Sequence, residues 1–587
     1  MRKVLILFLA LFLVSLSSSF AQGLMDYVKE VKGDTLVVKD YTDMGNVASS
    51  LTNVIIADSQ NVPAGRVYEL QTNGWYPLGT NITTPSNRPV TIVGADPTIL
   101  VNNSSVTSAP PIISGFVNSG SANSGGITYQ NNFTLKNTAT CVGAPDGSLG
   151  WAFYGPGAPN LTAWFVNDMM EHTLWVMLQS NAWAGSRIYF KDDYFVNMTG
   201  LACRRNGGVY DNVNNPTDTM WVENCTHIMA EGSMYKFRNY PVGLVFINHN
   251  TFINCAGTLI ETQGFQSNVA VTNNIFVNSN IQPFRVNMTE DLSEQDADQM
   301  PTGLIDVAVL PDSLPQVDRK YLVEDNLVYW DPKVADLATE ANTNSIGGYT
   351  TWQNQAVTMN TRTQGFFDDN TNYPFLTEGK WYTKLPQFTD TKDLFGAQLD
   401  SLASFALNTV DTASTIILPV WRVSSTDFLY ADWPIPVDLS YSDADLKTGS
   451  TDGLPLGDLN WFPTAKATFD ANMASYHSAI LTALANGTFT GVEAVGSTVP
   501  TKYTLTQNYP NPFNPTTNIN FTLPKSGNVT LRVYDITGKE VATLINGYKA
   551  AQTYHVQFDG AGLASGVYFY TLHTDNFTQT KKMILMK

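Results

Sequence analysis

Arg204, Lys236, Glu261 and Arg285 stand at one common offset, eleven residues after Asp193, Cys225, Asn250 and Asn274. A fifth charged residue, Arg238, lies two positions beyond Lys236. Cations gathered in this way could neutralise the carboxylate of an acidic sugar while a base removes the proton next to it, which is the chemistry of β-elimination. In such a site Lys236 or Arg238 would take the proton, and Arg204 and Arg285 would carry the charge, with Glu261 beside them on the substrate. The offset is flanked on one side by Cys203, Tyr235, Ile260 and Phe284, and on the other by Arg205, Phe237, Thr262 and Val286. Alternation of apolar and polar residues predicts a strand with one face outward. The same residues read equally as a glycan-binding strip without catalysis, or as a solvated strand face of alternating charge.

Whatever these residues do, a repeat must position them. RIYFKDDYFVNMTG (187–200), TMWVENCTHIMAEG (219–232), GLVFINHNTFINCAG (243–257), NVAVTNNIFVNSN (268–280) and KYLVEDNLVYW (320–330) align on Asp193, Cys225, Asn250, Asn274 and Asn326. The steps are 32, 25, 24 and 52 residues. A coil of about 24 residues fits them, with an insertion over 207–216 in the first step and one coil passed over in the last. WFVNDMMEHT (164–173) and ITYQNNFTLKN (127–137) are weaker copies. Two positions on lie Phe195, His227, Phe252, Phe276 and Val328; four positions on lie Asn197, Met229, Asn254 and Asn278. Apolar and asparagine columns are what a parallel β-helix stacks, with like residues about 4.8 Å apart in successive coils. The leucine-rich pattern is missing, and a propeller blade would need about 40 residues. His227 stands in an aromatic column and is expected to be a packed core residue. Cys141, Cys203, Cys225 and Cys255 follow no metal-binding spacing and are expected to be free and buried.

Composition excludes some partners. Only 14% of the 587 residues are charged and the formal net charge is -18, which gives nucleic acid no basic field to follow. At the N-terminus, Arg2 and Lys3, an apolar run from Val4 to Leu16 and Ser19-Phe20-Ala21 read as a cleaved signal peptide over 1–21. No later run is apolar enough to span a bilayer, so no transmembrane segment is expected in the mature chain.

The aligned columns resemble the right-handed parallel β-helix of pectate-lyase-like proteins, and imply such a fold over 22–330, with regular coils from about 127. Proteins of this kind often bind or cleave polysaccharides along one face. NTFINCAG (250–257) is similar to a coil of chondroitinase-B-like and alginate lyases. Those continue with a Glu-rich stretch and a Lys, whereas TLIETQGFQS (258–267) keeps only Glu261. No cofactor is implied; calcium, which β-helix lyases can hold on Asp and Glu, has no motif here.

Beyond the coils, 331–463 reads as an irregular covering and closing region. Its last segment, TDGLPLGDLNWFP (451–463), resembles a closing signature that follows β-helices in secreted Bacteroidetes-type proteins. Phe469, Met473, Tyr476, Ile480 and Leu484 have helical spacing, which predicts a helix over 464–487 that ends at Gly487 and packs on or caps the stack. A linker over 488–503 follows. Residues 504–587 contain NYPNPFNP, the DITGK turn, SGVY and the tail KKMILMK. They resemble the type A C-terminal sorting domain of the type IX secretion system. The resemblance implies an all-β chain with an Ig-like β-sandwich at its end, a secretion machinery as partner, and an extracellular or outer-membrane-surface location. The functions left open are a polysaccharide-directed protein, binding or lyase-like, and a structural or adhesive surface protein.

Overall fold

Stacked rungs account for most of the chain. The structure is a computed structural model that describes residues 23–60, 62–98, 108–115, 125–142, 152–171, 176–198, 208–213, 215–237, 240–262, 266–285, 301–307, 309, 319–408, 421, 435–487, 502–508, 510–524, 527–549, 553–574 and 577–586. The signal-peptide segment and most of the 488–503 linker lie outside them. Two compact units divide at residue 492.

The first unit is a parallel β-helix with three long sheets of twelve, ten and seven strands, here sheets 1, 2 and 3. One coil shows the pattern: Val242–Asn248 lies in sheet 1, Thr251–Cys255 in sheet 2 and Ile260–Thr262 in sheet 3. Each strand pairs in parallel with its counterpart one coil away, as Phe252 does with His227 and Phe276. Inward side chains stack accordingly. Phe195, His227, Phe252 and Phe276 form one column, with ring centroids 4.8, 4.1 and 5.1 Å apart. His227 is fully buried there, its Nε2 2.9 Å from the Tyr235 hydroxyl, and burial drives its pKa well below the usual imidazole value. Cys141, Cys225 and Cys255 are free and buried as expected, and Cys203 lies outside the described residues.

The coils close at a polar corner between sheets 1 and 2. Asn137, Asn167, Asp192, Asn224, His249, Asn273 and Asp325, each one residue before the alignment position, all have φ between 48° and 63°. A short polar side chain tolerates this left-handed turn best. The next residue builds the ladder. Asn250 Oδ1 accepts the Cys225 amide, and Asn274 Oδ1 accepts both the amide and the side-chain amide of Asn250. Asn326 Oδ1 serves Asn274 in the same way. The asparagine ladder therefore runs at the alignment position. Four residues on, only Asn278 donates to Asn254 among the described residues, while Asn197 and Asn254 bind the covering chain at Trp421 and Leu394.

Three expectations about the repeat need correction. The 52-residue step is one rung, because Asn268–Thr272 pairs directly with Lys320–Glu324; a long excursion imitates a second coil. Gly208–Asp211 is a sheet 3 strand and not a loop. Coils begin at Thr35–Val38, within the expected 22–330, but continue past 330 to Trp381–Tyr382. Between the last regular rung and those final strands, the chain inserts helices α2 (Leu337–Thr343) and α3 (Thr361–Asp368), which hide the period. An earlier helix, α1 (Ser50–Ala57), packs its Leu51, Val54 and Ile55 into the N-terminal part of the core.

Helix α4 (Ala397–Asn408) packs with the covering segment against the outer side of sheet 2. Helix α5 (Pro463–Asn486) starts with Pro463 and ends on Gly487 at φ 67°, a glycine stop. It lies along the outer face of sheet 1 instead of across the open end: Ile480, Ala483 and Leu484 pack on Phe246, Ala270 and Leu322.

The second unit is an antiparallel sandwich of a three-stranded and a four-stranded sheet around Ile519, Phe521, Leu531, Val533, Tyr570 and Leu572. In its DITGK turn, Asp535 Oδ1 accepts the amides of Thr537 and Lys539, and Gly538 takes φ 83°.

Candidate functional site

Among the described residues the charged offset is kept at only two adjacent rungs. Lys236 and Glu261 do stand in register on adjacent sheet 3 strands, but the rung before Lys236 holds Asp211 in place of Arg204. The first step of the repeat carries its extra residues ahead of Gly208, so a constant offset fails there. Lys236 is only 1% exposed, which removes it from an open strand face. Arg285 lies past the last sheet 3 strand, where Phe284 bridges Gln353, and its guanidinium sits 3.6 Å from the Tyr349 ring centroid and 5.2 Å from that of Trp352. The covering region thus takes Arg285 as a cation–π anchor. Arg204 and Arg238 lie outside the described residues.

The outer face of sheet 1 carries a different constellation. Trp164, Tyr189, Trp221 and Phe246 are register partners on four successive strands. They occur four residues before the alignment position, alternating with the inward Phe165, Phe190, Val222 and Ile247. Trp164 and Tyr189 stack at 3.9 Å and 10°, and Trp221 and Phe246 at 3.8 Å and 15°. Between the pairs the rings are 6.3 Å apart and tilted. Helix α5 covers the second pair: His477 meets Trp221 edge-on at 4.7 Å. Phe246 is fully buried beneath it, whereas Trp164, at the other end, is 36% exposed. The ladder was legible as an aromatic column in the same alignment, two strands upstream of the charged one.

Ion pairs fix what lies over this face. Glu223, fully buried, accepts His477 Nε2 at 2.6 Å and Asn248 Nδ2 at 3.0 Å, with Lys191 Nζ 3.6 Å away. Burial alone would raise its carboxyl, but His477, Lys191 and Asn248 outweigh this and hold it at about 2. The 451–463 segment runs along the left-handed corner and engages successive coils. Thr451 exchanges hydrogen bonds with Asn273, Asp452 pairs with buried His249 at 2.9 Å, and Asn460 donates to the carbonyl of Asn224. Beyond it, Lys466 reaches Asp192 at 3.2 Å. Burial opposes the charged ring of His249, yet Asp452 raises its pKa overall. Among the described residues, no three His, Cys, Asp or Glu side chains gather as a metal site requires. No helix among them is long and apolar enough to cross a membrane.

Residues 507–586 match the family described as the secretion system C-terminal sorting domain. No curated protein matches the chain. A solved structure from a study of PorZ, "an essential bacterial surface component of the type-IX secretion system" of Porphyromonas gingivalis, is similar at 18% identity. The match covers 17% of this chain and 14% of that one, with a TM-score of 0.12.

Proposed function

Starting from a chain whose last 80 or so residues are a sorting domain that sends it to the cell surface or the extracellular space, we propose that its β-helix binds polysaccharide on the outer face of sheet 1. The observation that carries this reading is the aromatic ladder whose terminal ring, Trp164, stays exposed on a rigid parallel sheet. Large apolar rings held outward on a scaffold present a surface that water hydrates poorly. The C–H face of a pyranose covers such a ring. The burial of Lys236 and the aromatic capture of Arg285 favour binding over lyase chemistry.

Affinity electrophoresis of the full chain through gels containing a panel of neutral and acidic polysaccharides tests this. At least one polysaccharide should retard the protein, and Trp164→Ala should abolish the retardation while the protein still melts as a folded chain. Retardation that survives Trp164→Ala would remove sheet 1 from the reading. Unsaturated uronate products appearing during incubation would restore the lyase alternative.

A further inference from the structure

The aromatic ladder stops abruptly, and the rung where it stops is shaped for a ligand. Trp164 stacks one face on Tyr189, so its other face looks toward the preceding coil. The register partners there are Thr134 and, one coil earlier, Thr91, both half-buried. Two small residues follow four large ones, leaving the space of a rung about 4.8 Å deep beside an uncovered indole. The stacked pairs already in the ladder have centroids 3.9 and 3.8 Å apart, a spacing that a rung of this depth accommodates. A ring of pyranose size, presenting its C–H face to the indole, is therefore a piece that continues the stack.

Charge on this face is distributed unevenly. Arg187 is held by Thr162, the Asn160 carbonyl and Asp218. Lys191 faces Glu223 and the Met473 sulfur. Lys136 differs: it is exposed, two residues along from Thr134 on the same face, and its charge is felt by the buried Asp168 without a salt bridge between them. A lysine stem is long enough to bring its ammonium over the neighbouring rung, where it acts as a mobile point charge. In a chain of net charge -18, such a cation beside an uncovered aromatic face is a selective feature.

We infer that the rung over Thr134 is a sugar-binding slot for an anionic pyranose, with Trp164 stacking on the ring and Lys136 pairing with its carboxylate or sulfate. The inference rests on the proposed polysaccharide-binding reading and adds the substrate class and the residue that selects it. A charge-assisted hydrogen bond from an ammonium to an oxyanion supplies the preference.

Tryptophan-fluorescence titration of the full chain with three oligosaccharide sets, uronate, sulfated hexose and neutral hexose, separates the possibilities. One anionic set should bind at least about tenfold tighter than the neutral set, and Lys136→Met should erase that advantage and its salt dependence. Which anionic set binds tells carboxylate from sulfate. Thr134→Phe, which extends the stack into the slot, should block all three sets while leaving the fold intact. Equal binding of neutral and anionic sets, unmoved by Lys136→Met but lost in Trp164→Ala, overturns the anionic assignment and leaves the polysaccharide reading standing. Binding that persists in both Trp164→Ala and Thr134→Phe overturns the slot and that reading together.

Discussion

Replacing Asp193 with asparagine should stabilise the β-helix, and increasingly so as pH rises. At the ladder position, Asn250 and Asn274 each use Nδ2 to donate to a carbonyl of the preceding coil, at Val222 and Ile247. Asp193 and Asp168 occupy the same column two and three coils earlier, where neither can donate unless protonated. Asp168 is well supplied as a carboxylate, accepting the amide and hydroxyl of Thr138 and the amide of Val166. Asp193 Oδ1 accepts the Asp168 amide, but its Oδ2 is buried without a hydrogen-bond partner among the described residues. Of the two, Asp193 is the one that gains more from a proton, although the Lys191 amide partly favours its charged form; the acceptor equivalent to Val222 and Ile247 would be the Phe165 carbonyl. Burial first, and the Asp168 charge second, push the Asp193 carboxyl well above its ordinary value. Burial likewise lifts Asp168 from 3.8 to about 7. A carboxyl raised in the folded state binds protons that the unfolded chain has released, so its own contribution to stability is complete below about pH 4 and is lost as pH rises through about 7. In the Asp193→Asn variant, the side-chain amide would supply the missing donor without taking up a proton on folding. We expect a gain of about 1–3 kcal/mol at pH 8, shrinking toward zero near pH 4. Melting of the full chain followed by far-ultraviolet circular dichroism across that range measures it. Parallel pH profiles for the two proteins, or a less stable variant at the alkaline end, would refute the protonated-ladder argument.

Two more outcomes test other links. Phe252 lies between His227 and Phe276 in the inner column and is 1% exposed, so Phe252→Ala should destabilise the β-helix by about 3–5 kcal/mol in thermal or denaturant melts; a loss below about 1 kcal/mol would contradict the column. Deletion of residues 500–587 should leave the protein in the periplasm, scored by cell fractionation, and normal secretion of the truncated chain would remove the sorting role from that domain.

Much of the fold was legible because a β-helix repeats its physical constraints. Phe195, Phe252 and Phe276 had to stack, and the histidine between them could be read as a core residue from its column alone. The sorting domain was legible because its turns and termini are local motifs, such as the Asp535 turn. The constant charged offset parts from the observed register and surroundings for two physical reasons. A constant offset assumes coils of constant length, and extra residues ahead of Gly208 replace Arg204 with Asp211 at the rung beside Lys236. Alternation also predicts which side of a strand faces outward, but not what lies over that side. Tyr349 and Trp352, far along the chain from Arg285, cannot be assigned to it by periodicity. The Trp164 ladder lay in the same alignment, yet covered and open rungs look alike until α5 is placed over Trp221 and Phe246.

The closing segment links the corner of the coils to the proposed site. Each left-handed turn leaves a polar residue at the corner, and 451–463 binds Asn273, His249 and Asn224 in succession. That path delivers Pro463 to the edge of sheet 1, where α5 begins, and Lys466 then meets Asp192 on the adjoining coil. From there the helix turns its apolar side to the coils of Phe246, Ala270 and Leu322, further toward the C-terminal end of the stack. At about 1.5 Å per residue its 24 residues extend roughly 36 Å, enough to cover five further rungs at about 4.8 Å each. Its Lys320 and Thr377 contacts, near Ala485 and Gly487, mark the far end. Trp164 and Thr134 lie on the opposite side of Lys466, beyond where the helix starts. The corner that registers the closing segment thus also determines which aromatic rungs α5 covers, and leaves the Trp164 end of the ladder open.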